Sequence, residues 1–221
     1  MTKKIDVAML TKRDIDPVWI NKFRAIFPDG VRLPAPPAVW KFAGDNGLCP
    51  VLDWFYRTSK ASEFRPNLEK CNLMGAQWTH AGLSFANMRR AEMNSANFRM
   101  AAFAHADLAW ANASDVNMYR VDAFSTNMAE IDLDGAKLAY GMFYYATLIG
   151  ARMQRVDARW ANFYSAQLDG ADMRNADLRG ANFNAATLER ANLVGAVIDD
   201  TTILPEGFDW GAFEMDYDGD D

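Results

Sequence analysis

The sequence predicts a mainly β solenoid that fills most of a 221-residue chain. Three observations predict it: a strict period of five from Pro66 to Asp200, an apolar residue at one position of every repeat, and a small residue two places before it. Residues whose numbers leave a remainder of three on division by five, from Leu68 to Ile198, form 27 centres: 11 Leu, 6 Met, 5 Phe, 3 Ala, one Trp and one Ile. None is polar. Two residues before each centre, 19 of the 27 positions are Ala, and the others are Pro66, Cys71, Val116, Val121, Thr126, Ile131, Gly141 and Val156. The position between is mostly Asn, Asp or Gln, as in Ala181-Asn182-Phe183.

An in-out-in pattern over three residues is the alternation of a short strand with one buried face. A helix needs apolar positions every 3.6 residues, so the period excludes it. Two residues per repeat are left to turn a corner, often small or polar, as in Asp169-Gly170 and Arg179-Gly180. Such a chain coils. Burying one Leu or Phe contributes about 1.5 to 3 kcal/mol, whereas ordering five residues costs about 5 to 10 kcal/mol of backbone entropy. No repeat stands alone, and stability comes from stacking on the coils above and below.

The segments ADLAW, ADMRN, ADLRG, ANFNA and ANLVG closely follow the motif A-[DN]-[LF]-x-x, and through them the sequence resembles the pentapeptide-repeat family. The resemblance implies a right-handed quadrilateral β-helix in which four repeats complete one square coil. On that basis the repeats build about seven coils, with a rod of roughly 30 Å at about 4.8 Å per layer. Open β edges at the two ends need covering, which divides the chain into three expected parts: residues 1–65 as a helical N-terminal cap or docking segment, 66–200 as the β-helix, and 201–221 as a C-terminal cap with an acidic tail.

Within the rod, Ala113 and Ala123 leave one coil short of centre volume. Val121 offsets Ala123, as Val156 does Ala158, while Ala113 follows Ala111. A thin, kinked layer or a core closed over small residues both fit. In the head, Asp16 to Phe27 reads as an amphipathic helix, with Pro17 in its first turn and Trp19, Ile20, Phe23 and Phe27 on one stripe. Val31 to Pro37 reads as a proline-rich connector. Shorter helices are expected around Ala38 to Phe42 and after Pro50. Past Ile198 the pattern decays, and Ile203, Leu204, Phe208, Trp210 and Phe213 are expected to close the last coil or to form a homodimer contact at the C-terminal end. The final EMDYDGDD reads as a solvated acidic tail.

The composition sets outer limits. No apolar run approaches a membrane span, and MTKKID is not followed by the apolar stretch of a signal peptide, so a cytoplasmic location is expected. Cys49 and Cys71 lack metal-ligand spacing and read as reduced thiols. The net charge of −6 divides into a basic head and an acidic tail, with seven acidic and no basic side chains in residues 201–221.

If repeats four apart stack, outward side chains sort into four faces. The faces of centres 68–188 and 73–193 are mixed in charge. The third face, of centres 78–198, holds Arg99, Tyr119, Arg120, Lys137, Tyr140, Arg159, Trp160 and Arg179, a pattern suited to an anionic partner. The competing expectation pairs these arginines with Asp157 and Asp177. The fourth face carries one charge, Asp122, and displays Phe85, Phe124, Tyr144, Tyr145 and Tyr164. An exposed apolar stripe marks an interface, with residues 1–65 or with a second molecule.

No catalytic constellation is present in the sequence. His80 and His105 sit on adjacent faces and different coils, with no nucleophile or carboxylate pair beside them, and neither phosphate-loop nor metal-ligand spacing occurs. The expectation is therefore a non-enzymatic protein-binding module without a cofactor. Well-understood members of the family are DNA mimics that bind DNA gyrase and topoisomerase IV and protect them from quinolones, so the resemblance implies a type II topoisomerase as a candidate partner. The overall acidity argues against direct nucleic-acid binding.

Overall fold

The computed structural model describes residues 68–209, together with the backbone of Lys4–Ile5, Val31–Arg32 and Asp216–Tyr217. From Asn72 onward each outward position pairs in parallel with the residue twenty places later: Asn72 with Glu92, Glu92 with Asn112, and so on to Asp177 with Val197. A turn every five residues and a rise every twenty give a coil with four corners. The centres and the small residues before them are buried from Leu68 to Ile198 and form one continuous core.

Accounting for the backbone N–H groups explains why this motif is five residues long. The centre donates to a carbonyl 19 residues ahead, as Leu73 does to Glu92 at 2.7 Å. The corner residue two places later does the same, as His80 does to Arg99 at 2.9 Å. The outward residue donates 21 residues back, as Asn97 does to Ala76 at 2.7 Å, and the small residue closes the turn, as Ala101 does to Phe98 at 2.9 Å. One N–H per repeat is left over, on the residue after the centre. Unpaired backbone donors are costly, and in most repeats a side chain accepts it. The outward Asn or Asp two places earlier supplies the oxygen: Tyr119 N–H reaches Asn117 Oδ1 at 3.1 Å and Tyr164 reaches Asn162 Oδ1 at 3.0 Å. This is an Asx turn, and it accounts for the Asn and Asp of the motif. Where Arg152 or Thr187 takes that place, an aspartate one coil below substitutes: Gln154 N–H bonds Asp134 Oδ1 at 3.0 Å and Glu189 N–H bonds Asp169 Oδ1 at 2.9 Å.

The corner imposes a second rule. Every fifth-position residue from Lys70 to Gly195 has φ between 49° and 69°, the left-handed region that the third residue of a type II turn requires. Twenty of these 26 residues are not glycine, yet none is Val, Ile, Thr or Pro. Branching at Cβ or a ring-locked φ is least tolerated there.

Core volume is shared between the two inner positions. Around Ala113 and Ala123 the small residues are replaced by Val116, Val121, Thr126 and Ile131, and the turn bonds these four close measure 3.2–3.3 Å, against 2.8–3.1 Å for turns closed by Ala, Cys or Gly. The layer is filled from its corners at the cost of slightly opened turns. The ladder runs unbroken through Asn112 to Asp132. Buried Thr126 donates its hydroxyl to the Phe103 carbonyl at 2.8 Å. Beneath the fourth face Phe143, Phe163 and Phe183 stack in near-parallel pairs with centroids 5.0 Å apart. The Phe143 ring would lie 2.5 Å from a Cβ at Gly141, so only glycine fits there.

The C-terminal end departs from the sequence expectation. After Ile198 the register slips by one residue, and Asn182 pairs with Ile203. Asp199 bridges the slip: its Oδ1 accepts from Gly180 N–H at 3.1 Å, Thr201 N–H at 3.0 Å and the Thr202 hydroxyl at 3.1 Å, replacing the carbonyl that Gly180 would otherwise reach. The slip turns Ile203 outward, where it is 50% exposed. Ile203 is thus a ladder residue rather than a core plug, while Leu204 and Phe208 do pack on the core. Trp210 and Phe213 lie outside the described residues.

Four named strands complete the description. Strand β1 (Lys4–Ile5) pairs antiparallel with β2 (Val31–Arg32), so the proline-rich stretch begins in a strand rather than in a connector. Strand β3 (Val197–Ile198) pairs in parallel with β4 (Asp216–Tyr217), so the acidic tail contributes a further layer and is not simply solvated. The helices expected within residues 1–65 and Cys49 lie outside the described residues. Cys71 is buried in the core, and no helix among the described residues is long and apolar enough to cross a membrane.

The corner rule predicts that Ser165→Val lowers stability by about 1 to 2 kcal/mol while Ser165→Gly does not, measured by thermal or denaturant unfolding. Asp134→Ala strips the Gln154 N–H of its acceptor and Arg152 of one of its two carboxylates, and a loss of about 1 to 3 kcal/mol is expected in the same experiment.

Candidate partner-binding faces

The third face divides into two halves with different electrostatics. In the upper half Arg159 forks onto its own Asp157, Nε to Oδ1 at 2.8 Å and Nη2 to Oδ2 at 2.9 Å, and lies 3.5 Å from Asp177. Arg179 grips Asp177 in the same way, at 2.9 and 2.7 Å. The exposed Trp160 ring lies against Gly180 one coil above, where a Cβ would come within 2.6 Å of it. Here the pairing expectation holds.

In the lower half the cations rest on aromatic rings instead. The Arg99 guanidinium sits 5.0 Å from the Tyr119 ring centre, and Arg120 lies 5.4 Å from Tyr119 and 5.5 Å from Tyr140. The two tyrosines meet edge to face at 5.6 Å. Arg99, Arg120, Lys137 and Tyr140 are all exposed. Among the described residues none of Arg99, Arg120 and Lys137 forms an ion pair. The rings fix the direction of the guanidinium groups without neutralising them.

The fourth face carries a continuous aromatic ladder along its trailing corner. Phe85 stacks on His105 at 5.0 Å, His105 meets Phe124 at 5.3 Å, Phe124 meets Tyr145 at 5.7 Å, and Tyr145 meets Tyr164 at 6.0 Å. Tyr144 lies beside it, 6.5 Å from Tyr164, and accepts a hydrogen bond from Asn162 at 3.0 Å. Phe124 is 39% exposed and Tyr145 53%. Sequence reasoning missed His105 as the rung that joins Phe85 to Phe124. It also missed exposed Met142 beside them, and Trp110 on the first face, over which Arg89 lies at 4.4 Å while bonding Asp107 at 2.8 Å. Sorting fifth-position residues by coil would have found both rings.

The motif, the twenty-residue ladder and the corner rule are repeated throughout the rod, and the family model described as pentapeptide repeats matches in eight copies over residues 67–99, 101–138, 143–180 and 176–203, together more than half of the chain. The chain is a pentapeptide-repeat protein. The fold of this family, a right-handed β-helix, agrees with the coil described above. Among solved structures it is similar to HetL, a pentapeptide-repeat protein involved in heterocyst differentiation regulation from the cyanobacterium Nostoc sp. strain PCC 7120, with 22% identity, a TM-score of 0.53, and 77% of this chain and 92% of that one covered. A second pentapeptide-repeat protein of Nostoc PCC 7120 is 32% identical, with a TM-score of 0.45, over 46% of this chain and 84% of its own. QnrB1, a plasmid-mediated fluoroquinolone resistance protein, is 18% identical, with a TM-score of 0.46, covering 70% and 82%. No curated relative matches the sequence.

On the second face of this pentapeptide-repeat rod, Asp132, Asp134 and Asp172 are engaged by arginines, while Glu92 and Asp115 form no ion pair among the described residues. Arg152 bridges Asp132 at 3.1 Å and Asp134 at 2.7 Å, and Arg174 forks onto Asp172 at 2.8 and 2.7 Å. The described residues contain no cluster of three or more metal-ligating side chains. Hydrogen bonds from Arg159 hold Asp157 below the usual aspartate range against the opposing effect of burial, and those from Arg174 do the same for Asp172. At Asp199 burial is the largest influence and opposes ionisation, but the hydrogen bonds from Thr201, Gly180 and Thr202 outweigh it and the carboxyl is again lowered.

A carboxylate whose folded pKa is depressed contributes stability that is fully present above its unfolded value, near 3.8 here, and is lost as pH falls through the folded value. The rod is therefore expected to keep constant stability from neutral pH down to about 5 and to weaken below about 4. Asp172→Asn should flatten that acid limb, measured by unfolding midpoints across pH.

Proposed function

We propose that this protein is a non-enzymatic binding module that engages an acidic surface of a partner protein through the lower half of its third face. The supporting observation is that Arg99, Arg120 and Lys137 stand exposed without a carboxylate partner among the described residues, the two arginines oriented by Tyr119 and Tyr140. Arginine and tyrosine are the side chains that most often dominate binding energy at protein interfaces, and guanidinium groups already resting on rings lose little freedom on association. Arg159, Trp160 and Arg179 form the upper margin of the same face, where paired charges contribute orientation rather than attraction.

A DNA mimic acting on DNA gyrase or topoisomerase IV is the second reading, which the family resemblance raises. A mimic needs free carboxylates arrayed like phosphates, whereas Asp132, Asp134, Asp157, Asp172 and Asp177 are held by arginines, and the carboxylates outside ion pairs, such as Glu92, Asp122 and Glu189, are divided among different faces. A homodimer through the C-terminal end is the weaker candidate for a self-contact, because β4 already pairs with β3 there.

Charge reversal separates these readings. With the partner recovered from the source cell, Arg99→Glu and Arg120→Glu should each weaken binding at least tenfold by calorimetry, while Arg174→Glu on the second face should leave it within twofold. Equal losses from all three would count against the third face. Addition of the protein should leave gyrase supercoiling and its inhibition by a quinolone unchanged; relief of that inhibition would favour the mimic.

A further inference from the structure

The fourth face presents a second exposed aromatic surface, distinct from the third face. Its aromatic ladder from Phe85 to Tyr164 climbs four layers, about 19 Å, as a strip one corner wide. At roughly 10 Å across, such a strip covers about 190 Å², far less than the roughly 800 Å² per partner that a stable dimer buries, so it suits a narrow, extended ligand better than a second rod. Besides rings, it offers hydrogen-bond donors. The hydroxyls of Tyr145 and Tyr164 and the amide nitrogen of Asn182 donate no hydrogen bond among the described residues, and Asn182 uses only its oxygen, accepting from Asn184 N–H at 2.9 Å. The face has one charge, Asp122, which is half-buried, accepts from Phe124 N–H at 3.1 Å and has no cationic partner among the described residues.

Flat rings, unused donors and a single carboxylate together are the chemistry that recognises a polyproline II segment. Such a segment presents proline rings to aromatic faces, and its carbonyls have no internal partners and need donors. The spacing also agrees: one polyproline II turn advances about 9.3 Å and two layers of the rod about 9.6 Å. The sequence contains one such segment, Leu33-Pro34-Ala35-Pro36-Pro37, and it follows Arg32, the only charge between Val31 and Pro37 and opposite in sign to Asp122. The 30 residues between Pro37 and Leu68 can span up to about 100 Å, so the tether permits any point on the face. A tethered ligand also acts at an effective concentration near millimolar, and modest contacts then suffice.

We propose that the fourth face binds the chain's own Leu33–Pro37 as a polyproline II ligand, across Phe124, Tyr144, Tyr145 and Tyr164. The test uses the full chain with a photoreactive phenylalanine analogue at exposed Tyr145. Irradiation should yield an intramolecular adduct to the tryptic peptide Leu33–Lys41. Its yield should fall at least fivefold with Pro34→Ala and Pro37→Ala together, and should fall with Asp122→Asn, which keeps the turn bond to Phe124. An adduct elsewhere in the chain, an intermolecular adduct between two copies, or no adduct would each overturn the proposal. So would a yield indifferent to the two prolines. Because third-face charge reversals leave this readout untouched, its failure is distinguishable from failure of the partner-binding reading.

Discussion

The leftover N–H in each five-residue repeat is the constraint on which the rest of this rod depends. Four of the five backbone donors are consumed by the turn and by the coils above and below, which leaves one that a side chain or water has to satisfy. Hence an Asn or Asp stands just before most centres, and that residue must point outward. The outward position then cannot be chosen freely for a partner. Function has to be written into the two corner residues and into those few outward positions, such as Lys137, that dispense with the Asx turn. The aromatic and arginine side chains of both candidate faces lie almost entirely at such corner positions.

The same geometry explains how a rod with a net negative charge keeps a basic patch. Asp157, Asp172 and Asp177 have a double task, each accepting a turn N–H and gripping the arginine two residues on. Where the outward residue is Asn97 or Asn117, the turn is closed equally well, but no charge is available for Arg99 or Arg120. On this face, Asn97 in place of Asp leaves Arg99 without the carboxylate that Arg159 and Arg179 each grip two residues back. The boundary between the halves of the third face is set by this substitution and not by any change in fold.

Much of this was legible in the sequence. The buried centres and the four-face sorting follow from period alone, because a five-residue repeat admits one inside and one outside. The composition of the corner position also recorded its positive φ, through the absence of Val, Ile, Thr and Pro from Lys70 to Gly195, though that signal is visible only once the turn type is in mind. Two features were not legible. The slip at Asp199 depends on a side chain standing in for a carbonyl, and Ile203 reads as a core residue until the extra residue is counted. Whether an arginine pairs with the aspartate beside it or stacks on a ring one coil away depends on rotamers that the repeat does not encode.

The central claim is that the rod is functionally asymmetric, with recognition concentrated on the lower third face. Amide hydrogen exchange of the free protein against its complex with the recovered partner tests it most directly. The account predicts new protection confined to the exposed turns at residues 98–100, 118–120 and 138–140. Protection centred on the second face around residues 172–175, or spread evenly along the rod, would contradict it.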